Sequence, residues 1–236
     1  MTKRLRLIEQ KIFIVALVLT SCTAMAQNEA QVTVEADLVS SYVWRGVYQT
    51  GISVQPGLTL SYNGLSLGAW GSTDFSTAAK EFDLSLGFES GGFGISVTDY
   101  WWAGEGNPYG HYTDAHFLEG SVTYSFGEAL PLSLSWSTML GLDGDRDEDG
   151  KQCYSTYIDA GYGFNINNVS FTAGIGLTPW TGLYHKAGSG GFDIASISLR
   201  AAKELKVTES FTLPVFVEAI VAPNQDNVFL LFGISL

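Results

Sequence analysis

The chain has 236 residues, with 24 acidic against 12 basic side chains, a formal net charge of −12, and aromatic residues making up 13% of it. That acidity excludes a nucleic-acid partner, which needs a basic face to meet phosphates. Only Cys22 and Cys153 carry thiols, so no disulfide framework is available, and the length suits one domain.

Lys3, Arg4, Arg6 and Lys11 precede an apolar run from Ile12 to Leu19, and Ala24-Met25-Ala26 follows. These are the three parts of a cleavable signal peptide over residues 1–26. The run is shorter than the ~20 residues of a membrane-spanning helix. An alternative stays open: Leu19-Thr20-Ser21-Cys22 resembles a lipobox, which would leave Cys22 lipidated. Either way the folded domain is expected within 27–236, with Cys153 alone in it.

From Val32 onward the pattern has period two, the mark of strands with two different surroundings. The first strand is predicted over 31–45. Val32, Val34, Ala36, Leu38, Tyr42 and Trp44 lie on one face, with Glu35, Asp37, Ser41 and Arg45 on the other. A loop at 46–51 leads to strands at 52–62 and 65–75, joined by Asn63-Gly64, a tight hairpin turn. Strands at 82–89 and 93–102 meet at Ser90-Gly91-Gly92, and a polar loop follows at 103–114. The next strand, 115–126, turns at Gly127-Glu128 into one carrying Leu132, Leu134, Trp136 and Leu140. After an acidic loop, Asp143 to Gly150, come 153–164, the turn at 165–168, and a strand carrying Val169, Phe171, Ala173, Ile175 and Leu177. A Gly-rich loop at 181–191 precedes 192–202, where a phase shift between Ile194 and Ile197 predicts a bulge. Strands at 211–222 and from Val228 to Leu236 complete a set of twelve. No segment after the leader shows the periodicity of an amphipathic helix.

Short turns alternate with longer loops, so the turns gather at one end and the loops at the other. An even-numbered meander of this kind closes into an up-and-down antiparallel transmembrane β-barrel without leaving an edge. Two arguments put the apolar face outside. About eight strands already give an interior just filled by side chains, so twelve leave a lumen too wide for Val, Leu and Ala to fill. The aromatics also fall in two bands. Tyr62, Phe88, Phe93, Phe126, Phe164, Phe171 and Phe211 flank the short turns, and Trp44, Phe75, Phe82, Trp101, Tyr154 and Trp180 lie near the loops, as in the girdles of a bilayer protein.

Ser41-Tyr42-Val43-Trp44-Arg45-Gly46, with Gln49-Thr50 beyond and Gly68-Ala69-Trp70 after the first hairpin, resembles the TorF-like porins. These are the Gcw_chp group of uncharacterised bacterial outer-membrane barrels. The similarity is clearest over 37–75. It implies a barrel in the bacterial outer membrane, with lipid and the barrel-assembly machinery as partners. Two departures stand out: the segment between Gln49 and Gln55, and a final Leu236 where such barrels commonly end in an aromatic residue.

By parity the lumen face carries Glu35, Asp37, Arg45, Asp74, Asp83, Glu89, Glu119, Asp159, Arg200 and Glu218. Acids outnumber the two arginines, which favours cations and repels anions. The competing reading is that these groups pair with one another in a closed interior. His111, His116 and His185 fall in or beside loops as solvated residues. None sits two residues before a serine, so no lipase-like pairing is expected and no enzyme is predicted. Gly188-Ser189-Gly190-Gly191 lacks the Lys-Ser/Thr of a phosphate loop. Asp145, Asp147 and Asp149, followed by Gly150, match the first half of a calcium loop, but Thr156 stands where its closing Glu belongs. A weak calcium site and a solvated acidic loop both remain open, and no other cofactor is expected. Two functional classes follow: a channel for small neutral or cationic solutes, and a non-conducting barrel that is structural or binds through its loops.

Overall fold

The computed structural model describes residues 29–75, 80–103, 108–112, 115–142, 144–209 and 211–236. The predicted leader, 1–26, lies outside these residues, as do 76–79, 104–107 and 113–114 in and beside the predicted loops, Asp143 of the acidic loop, and 210. The barrel strands are β1 (Gln31–Val39), β4 (Ser53–Tyr62), β5 (Leu65–Asp74), β6 (Lys80–Ser90), β7 (Phe93–Ala103), β8 (His116–Ser125), β9 (Leu132–Gly141), β10 (Thr156–Ile166), β11 (Val169–Thr178), β12 (Asp193–Lys206), β13 (Thr212–Ala222) and β14 (Asn227–Ser235). β2 (Tyr42–Trp44) and β3 (Val47–Thr50) form a separate two-stranded hairpin. No α-helix occurs among the described residues, only a 3₁₀ turn at Pro223–Gln225.

Each barrel strand pairs antiparallel with its neighbours in sequence, and β1 closes on β14 through Asp37↔Ser235, Leu38↔Ile234 and Val39↔Gly233. Closure continues to the last residue, with Ala36 N–H donating to the Leu236 carbonyl at 3.0 Å and Leu236 N–H returning to Ala36 at 2.9 Å. The result is a closed twelve-strand up-and-down barrel. Its short turns are chemically dictated. Asn63 (φ 51°) and Gly64 (φ 81°) supply the left-handed pair of a two-residue hairpin between Tyr62 and Leu65, and a Cβ on Gly64 would also strike the Glu89 carbonyl.

The two faces of the wall differ as alternation predicts. Outward positions are apolar and bare, with Val34 74% and Phe232 65% exposed, and Leu67, Ile95, Val122, Ile175 and Val217 also exposed. An apolar surface this extensive on strands of 9 to 14 residues belongs to a membrane-type barrel. Inward positions are small or polar: Ser133, Gly161, Gly174 and Ser198 follow one another in register across β9 to β12. The predicted bulge is present, because Gly176 pairs with Ser196 and Leu177 with Ile194, leaving Ala195 extra.

The structure corrects the sequence reading in three places. The first strand does not run through to Arg45. It leaves the wall after Val39, and Tyr42–Trp44 turns into the separate hairpin, so 46–51 is no outer loop. Period two persists through Tyr42 and Trp44 because the hairpin is itself a strand pair, with its own two faces. Trp44 therefore leaves the outer girdle. Third, β6 begins at Lys80, which adds Glu81 to the inward face beside Asp83.

Candidate functional site

The hairpin β2–β3 is built around a tight turn. Arg45 (φ 53°) and Gly46 (φ 82°) both take left-handed conformations, and Trp44 pairs with Val47 across them. That geometry is cheap for glycine and strained for arginine. A Cβ on Gly46 would overlap the Ala195 carbonyl, so the turn lies against the β12 bulge and, at Ala222, the end of β13.

The hairpin reaches the wall on several sides. Tyr42 meets Trp70 of β5 edge-on at 5.7 Å, and Tyr48 stacks at 6.4 Å on Phe229 of β14. Trp44 packs against Tyr100 (5.5 Å) and Trp102 (5.8 Å) of β7, and against Tyr184 (5.7 Å) from the loop after β11. Between Trp44, Tyr100, Trp102, Phe117, Met139 and Leu183 only about 10 Å³ is left, room for one water at most.

Arg45 is the centre of this layer. It grips Glu119 of β8 bidentately, Nη1 donating to Oε2 at 2.5 Å and Nη2 to Oε1 at 2.9 Å, and Nη1 also donates to the Tyr184 hydroxyl. Tyr100 donates to Glu119 Oε1 at 3.0 Å, and Ser121 to the same oxygen at 3.3 Å. The guanidinium carbon lies 4.4 Å from the Trp44 ring centre and 4.9 Å from that of Tyr157, within cation–π range. Glu119 is only 2% exposed, and its burial is compatible with a charge because both oxygens are answered.

The outer loops hold the layer from above. The Tyr184 carbonyl accepts from Asn224 at 2.5 Å and Gln225 at 2.8 Å, which ties the loop to the 3₁₀ turn. Burial, outweighing the pull of Arg45, raises the Tyr184 phenol above its usual range, so it accepts from Arg45 as a neutral hydroxyl. Ser155 N–H and Oγ both donate to Asp145, while Ser155 Oγ accepts from Leu183 N–H at 2.8 Å. Buried Asp145 thus holds Ser155 within its own loop, and Ser155 bonds across to the loop after β11. Asp147 accepts from the N–H groups of Asp149 and Lys151 within its own turn. The three aspartates do not converge, and among the described residues no set of three His, Cys, Asp or Glu does.

The other sequence-derived residues are distributed along the inward wall. Asp74 and Asp83 are buried, Asp37 and Asp159 half-buried, and Glu35 and Glu89 exposed toward the short-turn end. Arg200 faces Glu218 across β12 and β13 at 3.6 Å, its guanidinium 3.5 Å above the Phe216 ring. Both arginines therefore answer an acid. At the short-turn end a cavity of about 610 Å³ opens, lined by Asn165, Ser170, Arg200, Glu204, Phe216 and Ser235 among others. The described residues are thus packed around the Arg45 layer, and a cavity opens at the short-turn end.

Glu81, Tyr100, Tyr157 and Tyr184 were not legible as site residues. The available signal was the run Tyr100-Trp101-Trp102: three consecutive aromatics on a strand cannot all face lipid. His116 also departs from expectation. It opens β8 on the outer face and is fully buried, with Nδ1 2.8 Å from Asp99 Oδ1, Nε2 2.7 Å from the Tyr109 carbonyl, and Tyr112 stacked on its ring. It fastens the preceding loop to the wall instead of standing in solvent. His185 bonds within its own loop, to Gly182 and Gly191, and His111 is exposed.

No curated protein matches the chain. The family model for bacterial proteins of unknown function named Gcw_chp matches residues 23–192, a span that takes in the hairpin, the Glu119 wall and the loop bearing Tyr184, and the chain belongs to that family.

Proposed function

We propose that this chain is a bacterial outer-membrane barrel that acts as a narrow, gated channel for small neutral or cationic solutes, as the resemblance to TorF-like porins suggests. Lipid contacts the apolar band, the barrel-assembly machinery inserts the chain, and both ends face the periplasm with the long loops outside. The observation that carries the reading is the inward hairpin. A lumen open at one end is crossed at the other by a small element anchored at its tip on Glu119. A structural filler would not need a charged anchor, since apolar packing serves as well or better. Acids exceed arginines on the wall, so the field favours cations. No catalytic or cofactor role is proposed.

A second reading, a non-conducting barrel that binds through its loops, draws on the density of the Arg45 layer and its fully buried Tyr184. Reversal potential in a planar bilayer under a KCl gradient separates the two. The channel reading expects a cation-selective potential, weakening at high salt through screening. An anion-selective potential would contradict it, and absence of current at every voltage would favour the second reading.

A further inference from the structure

The cavity of about 610 Å³ at the short-turn end carries both signs of charge. Arg200, Ala202 and Glu204 take alternate places on β12, so all three face inward. Phe216 stands opposite Ala202, and the Arg200 guanidinium carbon lies 3.5 Å from the centre of its ring. The arginine head is thus drawn toward the rung of Ala202 and Phe216, next to that of Glu204. Neighbouring inward positions on one strand are about 7 Å apart.

Neither charge is fully engaged by the protein. Arg200 is 38% exposed, and its nearest approach to Glu218, 3.6 Å, is too long for a hydrogen bond, unlike the fork of Arg45 on Glu119. Glu204 is exposed and has no hydrogen-bond or ion-pair partner among the described residues. Asn165 accepts from Ser170 Oγ at 2.9 Å through Oδ1, which leaves its amide N–H groups to donate. This lining decides what fits. A plain anion would meet Glu204 and Glu218, and a plain cation would meet Arg200. A sugar ring is held by stacking on an open aromatic face, and Phe216, the one aromatic residue among those described that line the cavity, offers none. It is 5% exposed, with Arg200 on one side and Gly233 so close that a Cβ there would lie 2.4 Å from the ring.

We propose that the cavity at the turn end binds a small zwitterion of the amino-acid class, its carboxylate on Arg200 and Asn165 and its ammonium on Glu204. The proposal rests on the channel reading and narrows its neutral solutes to those that carry one charge of each sign. A separation of about 7 Å spans a compact zwitterion with a hydrogen bond at each end. Stacking on Phe216 holds the guanidinium in place before the solute arrives, so little ordering is left to oppose binding. Because the solute is neutral overall, the acidic wall beyond does not repel it.

The test is saturation-transfer NMR on the full protein in maltoside micelles, titrated with L-alanine and, separately, with sodium acetate, ethylammonium chloride and glycerol at matched ionic strength. Saturable transfer to L-alanine is expected, well above that to the other three. Half-saturation should rise about tenfold in Arg200→Gln and in Glu204→Gln and stay unmoved in Glu128→Gln, at a turn outside the cavity. Because Glu204 has no partner to lose, its variant tests the site should Arg200→Gln fail to fold. Absence of saturation, an equal response to acetate, ethylammonium or glycerol, or an unmoved half-saturation in Glu204→Gln would overturn the site. The readout needs no current, so saturation in a protein that never conducts refutes the channel reading alone. Conductance without saturation refutes the site alone.

Discussion

Arg45 combines a strained backbone, a bidentate ion pair and a cation–π enclosure in one residue. Removing it leaves Glu119 buried without its cation, and an orphaned buried charge is more damaging than loss of the whole pair. Arg45→Ala is therefore expected to destabilise the barrel by about 3 kcal/mol in urea unfolding from micelles. Adding Glu119→Ala should recover part of that loss. If the double variant were less stable than the single, the pair would not be the anchor inferred here. The sequence marks Arg45 as inward and charged, because parity alone gives that much. Its partner was not legible, since the contact joins residues 74 apart in sequence with four whole barrel strands between them, and nothing local encodes it. Asp145 illustrates the converse. Its calcium-like spacing is real, but the carboxylate serves Ser155 and Gln152.

At the scale of elements, strands and turns were legible because alternation and hairpin chemistry are local. Asn63-Gly64, Ser90 to Gly92 and the bulge at Ala195 all fall where the residues require them. The hairpin was not, because period two says that a segment is a strand but not which sheet it joins. Only Ser40-Ser41 and the turn-forming Arg45-Gly46 hint that the wall ends at Val39. The assignment of faces is tested on β11, where Ile175 is exposed among apolar partners Ala160 and Ile197, and Thr172 faces Arg200 across the inward side. Ile175→Arg should destabilise folding into bilayers by about 2–4 kcal/mol, and Thr172→Arg by clearly less. The reverse order in a vesicle folding titration would turn the barrel inside out.

At the scale of the whole molecule, the chain is a twelve-strand barrel with a polar inner wall, packed around the Arg45 layer and holding a cavity at the turn end. Length, strand count and banding of aromatics made the architecture legible. Whether the lumen is open was not, because that depends on where the one excursion between Val39 and Ser53 goes. On the proposed function, the hairpin is a gate held by Arg45 and Glu119. Single-channel conductance of the wild type beside Arg45→Ala/Glu119→Ala measures this most directly. Small, cation-selective steps are predicted for the wild type, and larger or longer openings of the same selectivity for the double variant. Identical step size and open time in the two proteins, or silence in both, would contradict it.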